Sequence, residues 1–123
     1  MAPLARLAAV SLDCPDPSKL AAFYSQLLEL EIMVESDDFV ALQSAGVFLT
    51  MQRVANHRQP EWPDGDVPKQ LHLELSVSDL EAAEAFAIGL GATKAASQPS
   101  PERWRVLIDP VGHPFCITTL IPE

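Results

Sequence analysis

Few side chains in this 123-residue sequence have the type and spacing to do chemistry. His72 and Glu74 lie two apart in Leu71–Val77, a stretch that alternates apolar and polar residues as a half-buried strand does. That spacing puts the imidazole and the carboxylate on one strand face, where each can shift the other's pKa in a way that suits proton transfer. The plainer reading is a half-buried His bonded to its neighbour, because one imidazole carries no reaction by itself. No catalytic residue is therefore assigned. Cys14 and Cys116 make neither a disulfide framework nor a zinc knuckle, and they fit free thiols in a reducing compartment. Cys116 has no basic neighbour in sequence and reads as the filler of a small apolar slot. There is no glycine-rich phosphate loop, and Ser11, Ser25 and Ser44 lack a nucleophile-elbow context. Arg103 and Arg105 have the charge to neutralise an anionic ligand, with a solvated strand edge as the default.

Other residues suit binding rather than catalysis. Trp62, between Pro60 and Pro63, reads either as a latch or as an aromatic wall at the mouth of a site. Trp104 opens a strand, where end packing or a contact between copies competes with stacking on a ligand. Phe39, Phe48 and Met51 suit either the lining of a cleft or core packing. Flat aromatics and adaptable Met are what a planar ligand requires.

Composition bounds the partners. Hydrophobic residues make up 48% and charged residues 20%, which excludes a disordered or fibrous chain. With 8 Lys and Arg against 17 Asp and Glu the net charge is −9, a poor footprint for nucleic acid or an anionic membrane surface and an attraction for a cationic ligand. No apolar run approaches the ~18–20 residues of a membrane span. The opening Met1-Ala-Pro-Leu-Ala-Arg lacks a basic segment followed by an apolar one, so the expected location is the cytoplasm.

An internal duplication must position these residues. Asp16 precedes Phe23 by seven residues and Leu27 by eleven, and Asp79 stands in the same relation to Phe86 and Leu90. Asp16 is a good N-cap with Pro17 at the first helical position, and Leu20, Phe23, Tyr24, Leu27 and Leu28 form an apolar stripe, so a helix is expected over about 17–29. Asp79 caps a second helix with Leu80, Ala83, Phe86, Ala87 and Leu90 on its apolar face and Gly91 at its end. Strands are expected at Leu7–Leu12, Glu31–Glu35, Phe39–Gln43 and Val47–Arg53 in the first half. In the second they fall at Leu71–Val77, Ala92–Ala96, Arg103–Ile108 and Phe115–Leu120. Asp109-Pro110-Val111-Gly112 is a strong turn signal. Each half reads β-α-β-β-β, module one about 4–53 and module two about 69–121, with a proline-rich linker at 54–68. Together they form one domain over 1–123. One helix leaves a sheet face bare, and pairing two such halves closes it into a curved cleft. Strand parity aims Leu73, Leu75 and Val77 at the helix and His72, Glu74 and Ser76 into the cleft.

Three groups of residues carry a family resemblance. They are Leu12-Asp13-Cys14-Pro15-Asp16-Pro17 running into Ala22-Phe23-Tyr24, His72-Leu73-Glu74-Leu75 with Val77-Ser78-Asp79-Leu80, and Trp104-Arg105-Val106-Leu107 with Asp109-Pro110-Val111-Gly112-His113-Pro114-Phe115-Cys116. In order and spacing the chain resembles the vicinal oxygen chelate superfamily, which includes glyoxalase, bleomycin resistance proteins and extradiol dioxygenases, and within it the glyoxalase-like subgroup. The resemblance implies an α+β fold of paired β-α-β-β-β modules forming a curved mixed sheet around a small-molecule cleft, and frequent homodimers, some with exchanged arms. Metal-using members take ligands from four positions. Here those positions correspond to Ala9, to Thr50 or Gln52, to His72 and to Cys116. Ala9 has no ligand atom, and neither Thr50 nor Gln52 is a carboxylate. The resemblance therefore implies no metal and no cofactor, although His72 and Cys116 with Gln52, or with Glu74, could hold a soft ion. The expectation is a metal-free protein that binds or sequesters a flat or amphipathic compound, an antibiotic among the options. Its ligand would meet His72, Glu74, Gln52, Trp62, Phe39, Phe48, Met51, Trp104 and Cys116. The alternative is a lyase, isomerase or dioxygenase with a diverged metal site around His72.

Overall fold

The computed structural model describes residues 3–121. Met1 and Ala2, part of the opening stretch discussed above, lie outside the described residues. The chain divides into two compact units, Met1–His57 and Arg58–Glu123. The segment Arg58–Pro68, which reads as linker by composition, thus belongs to the second unit.

The first unit contains β1 (Ala9–Cys14), α1 (Pro17–Leu28), β2 (Glu31–Glu35), β3 (Phe39–Gln43) and β4 (Phe48–Arg53). The second contains β5 (Leu73–Ser76), α2 (Leu80–Gly89), β6 (Thr93–Lys94), β7 (Trp104–Ile108) and β8 (Pro114–Thr118). The sheets have the orders β1-β4-β3-β2 and β5-β8-β7-β6, the same order twice. In each, the first strand runs parallel to the last and the others are antiparallel. This is the duplication seen in sequence, now as two mixed four-stranded sheets, each with one helix.

The caps form as their residue types dictate. Asp16 accepts the backbone N–H of Lys19 at 3.2 Å, and Asp79 accepts that of Ala82 at 3.1 Å. In α1, Leu20, Ala21, Phe23 and Tyr24 are buried, and the Phe23 and Tyr24 rings meet edge-on at 4.9 Å. In α2 only Ala87 is fully buried, and Phe86, expected on the apolar face, is 53% exposed. Ion pairs tie this helix to its sheet: Glu84 pairs with Lys94 and Arg105, and Glu81 with Arg105. Arg105 therefore lies on the helix side of β7, not toward an anionic ligand.

Two strands start two residues later than the alternation suggests, and β4, β6 and β7 start one residue later. Leu71 is 54% exposed and precedes β5, whose pairing begins at Leu73 opposite Phe115. The preceding residue of the partner is Pro114, which has no N–H to extend the ladder. β1 begins at Ala9 rather than Leu7, because β4 begins opposite it at Phe48. No helix among the described residues is long and apolar enough to cross a membrane.

Candidate functional site

The second sheet buries one face and leaves the other to build a site. Leu73, Phe115 and Leu107 stand in register across β5, β8 and β7, and Phe115 and Leu107 are fully buried. The alternate set, Glu74, Cys116 and Val106, stands in register on the opposite face. One step along, Ser76, Thr118 and Trp104 do the same. Strand parity alone thus brings Glu74, Cys116 and Trp104 to one surface.

The turn before β8 fixes where that face begins. Asp109 Oδ1 accepts the N–H groups of Val111 and His113, each at 3.0 Å, and the Asp109 carbonyl accepts the N–H of Gly112. Gly112 has φ +101, and a Cβ there would overlap the Gln59 side chain, so only glycine suits the position. At the other edge the Gln98 side chain acts as a substitute strand. Its amide donates to the carbonyls of Ala95 (2.9 Å) and Val106 (2.8 Å) and accepts the Val106 N–H at 3.0 Å.

The Arg58–Pro68 segment supplies a wall. Glu61 holds it shut: its Oε1 accepts the N–H groups of Asp66 (3.0 Å) and Val67 (3.1 Å), and its backbone bridges to Pro68. Trp62, thus fixed, packs with Trp104 and Ile108 against Ala95, Val106 and Cys116. The result is a cavity of about 510 Å³. Its walls are Trp62, Trp104, Val106, Pro99 and Pro114, with Leu120 and Ile121 beyond them. Its polar groups are His72, Glu74, Lys69, Thr118 and the Cys116 thiol. A mostly apolar cavity with a few convergent polar groups is the usual form of a small-molecule site.

His72 Nε2 lies 2.9 Å from Glu74 Oε1, with both side chains part-exposed. Burial first, and the Glu74 charge second, push the Cys116 thiol up to about 11, while Lys69 opposes them. At neutral pH the thiol is protonated and behaves as a small, weakly polar wall. Thr118 Oγ1 is already engaged, donating to the Arg103 carbonyl and accepting from the Leu120 N–H.

Five of the expected site residues come together in this cavity: His72, Glu74, Trp62, Trp104 and Cys116. The other four lie in the first unit. Phe39 and Gln52 face each other across β3 and β4, and Phe48, 41% exposed, shares their face. Met51 does not line a cleft. It stands in register with Leu12 and Val40 on the helix side of the first sheet and is fully buried there. Several wall residues carried no functional signal in sequence, Lys69, Pro99 and Val106 among them. Their parts follow from loop and strand geometry.

The pairing in the two sheets distinguishes Thr50 from Gln52 by their place in the repeat. Glu74, five residues before Asp79, pairs with Cys116 in the second sheet, and its counterpart five residues before Asp16, Ser11, pairs with Thr50. Thr50 is therefore the counterpart of Cys116. It is buried, and its hydroxyl is hydrogen-bonded to that of Ser11. Of the positions to which the resemblance points, the first unit thus offers Ala9 and Thr50, and the second offers His72 and Cys116. A methyl and a hydroxyl give the first unit's positions no ligand set for a hard oxygen-ligated ion. Within the second unit, however, the ligand atoms of His72, Glu74 and Cys116 lie within 4.8 Å of one another, a donor set of the kind a soft or borderline ion takes.

Comparison with known proteins agrees with this architecture. The family model described as "Glyoxalase-like domain" matches residues 9–118. A glyoxalase/bleomycin resistance protein/dioxygenase family enzyme from Burkholderia phytofirmans PsJN superposes with a TM-score of 0.72 at 20% identity, covering 95% of this chain and 100% of that one. A glyoxalase-related enzyme from Fulvimarina pelagi gives 0.68 at 18% identity, with 94% and 88% covered. A mutant of the genomically encoded fosfomycin resistance protein of Listeria monocytogenes, complexed with Mn(II) and 1S,2S-dihydroxypropylphosphonic acid, gives 0.72 at 15% identity, with 94% and 90% covered. No curated protein sequence matches the chain. At these identities the structures establish the fold and not the activity. The chain belongs to the glyoxalase-like domain family.

Proposed function

We propose that this member of the glyoxalase-like family binds a small, flat, partly apolar molecule in the cavity of its second unit, without a metal ion. The observation that carries this reading is the pair of indoles. Trp62 from the loop and Trp104 from β7 flank a cavity of about 510 Å³ whose other walls are mainly aliphatic and proline side chains. Such walls suit dispersion and stacking on a planar ligand. The buried neutral thiol and the engaged Thr118 hydroxyl add no catalytic group, so binding or sequestration needs nothing further. Bleomycin resistance proteins and the fosfomycin resistance protein share this fold, which makes an antibiotic one ligand class to screen. The reading includes a homodimer in the cytoplasm; β2, exposed along its length at a sheet edge, supports an interface between copies.

The test is equilibrium titration of planar aromatic compounds, read by tryptophan fluorescence in the presence of a chelator. Saturable quenching is expected, weakened about tenfold or more by Trp62→Ala or Trp104→Ala. Quenching that needs an added divalent ion would instead support the second reading.

That reading is metal-assisted chemistry, and the cluster of His72, Glu74 and Cys116 is what favours it. It requires about one soft ion per chain after reloading, lost on His72→Ala. Negligible content after exposure to Zn²⁺, Ni²⁺, Mn²⁺ and Fe²⁺ removes it.

A further inference from the structure

The cavity reading leaves the charge of the ligand open, and the ionisable groups of the walls narrow it. Lys69 Nζ lies 5.3 Å from the centroid of the Trp62 ring, over the same indole that forms one wall. None of the second unit's other described Lys and Arg residues lines the cavity, and two of them, Lys94 and Arg105, pair with Glu84 and Glu81. Lys69 makes no ion pair among the described residues, although the chain has 17 Asp and Glu against 8 Lys and Arg. Its ammonium has three donors and is held by the face of an aromatic ring, an interaction that leaves those donors available to an acceptor.

The acidic group of the cavity is differently placed. Glu74 is engaged by His72 at 2.9 Å, so a cationic ligand would have to compete with the imidazole for its carboxylate. A ligand anion beside Lys69 displaces no protein partner. Among the described residues, Glu74 is the one acidic residue of the cavity walls; the rest of the net charge of −9 acts on the approach rate more than on contact preference, since charges beyond about 8–10 Å are screened at physiological salt.

Resting on the reading of this cavity as a ligand site, we infer that its ligand is a planar aromatic anion, such as an aromatic carboxylate or an ionised phenol or enol. Its ring lies against Trp62 and Trp104 and its charge meets Lys69. Lys69 is then the residue that sets charge specificity, and the indoles supply affinity that is indifferent to charge.

Three probes of one shape test this: 2-naphthoate, 2-naphthamide and 2-naphthamidine, titrated calorimetrically at one ionic strength. The anion is expected to bind about tenfold more tightly than the amide, as a charge-assisted contact gives. Lys69→Gln should bring anion and amide to similar affinity, and Lys69→Arg should keep the preference. Trp62→Ala should weaken all three. Amidine binding as tight as the naphthoate, or an anion preference that survives Lys69→Gln, overturns this inference alone. Failure of all three probes to bind overturns the ligand-site reading along with it.

Discussion

The thiol of Cys116 offers the sharpest test of how the cavity is built. Its pKa is pushed up to about 11 from an ordinary 9.0, first by burial and then by the charge of Glu74. At pH 9 an ordinary thiol is about half ionised, whereas one at about 11 is only about 1% ionised, roughly fifty-fold less thiolate. Alkylation by iodoacetamide, followed peptide by peptide in a mass spectrometer, separates Cys116 from Cys14. Shielding lowers the absolute rate at every pH, so the shape of the profile carries the information. The Cys116 rate should climb about tenfold per pH unit from 7.5 through 10 without levelling, with circular dichroism confirming that the fold persists. Glu74→Gln should move the profile to lower pH by less than the full shift, because burial is the larger cause. Lys69→Gln should move it the other way, since the ammonium now favours the thiolate. A profile that levels at or below pH 9 would refute the reasoning and make Cys116 a reactive group of the site.

Three further outcomes follow from local geometry. Gly112→Ala combines a φ of +101 with overlap on Gln59, so a loss of roughly 1–3 kcal/mol is expected in urea denaturation. An unchanged midpoint would contradict the turn as described. Glu29 ends α1 at φ 54, a left-handed conformation that glycine adopts freely, and Glu29→Gly should raise stability by about 0.5–1 kcal/mol in the same assay. A loss there would show that the Glu29 side chain outweighs its backbone cost. The hydrogen bond from Arg105 holds the Glu81 carboxyl below its usual 4.5. A group depressed on folding contributes stability that is present above its unfolded pKa and is lost as pH falls through the folded one. Glu81→Gln should therefore flatten the acid limb of the stability profile below about pH 4.5, slightly, because the carboxylate is exposed. An unaltered limb would argue against the pairing.

Much of this architecture was legible in the sequence, because its signals are local. The Asp caps, the helical stripe after Pro17 and the turn at Asp109–Gly112 each depend on residues within a few positions of one another. Strand parity put His72 and Glu74 on one face, and the repeat supplied the ruler between halves. What was not legible depends on register and on loops. The choice between Thr50 and Gln52 needed the pairing of β1 with β4, strands separated by a helix and two further strands. Met51 is one position from Thr50, and that single step decides between helix side and open face. Arg105 looked solvated because its partners, Glu81 and Glu84, stand more than twenty residues away. Lys69 reaches Trp62 only because Glu61 closes the loop between them, which no periodicity reveals.

The most direct test of the central claim uses the two tryptophans as reporters. The chain has only Trp62 and Trp104, and both line the cavity. Their indole N–H signals in a ¹⁵N-resolved NMR titration thus report on this site. With 2-naphthoate and a chelator present, both signals should shift together and saturate at one ligand per chain. Binding that leaves both unmoved, or shifts that appear only when a divalent ion is restored, would contradict a metal-free aromatic site in the second unit.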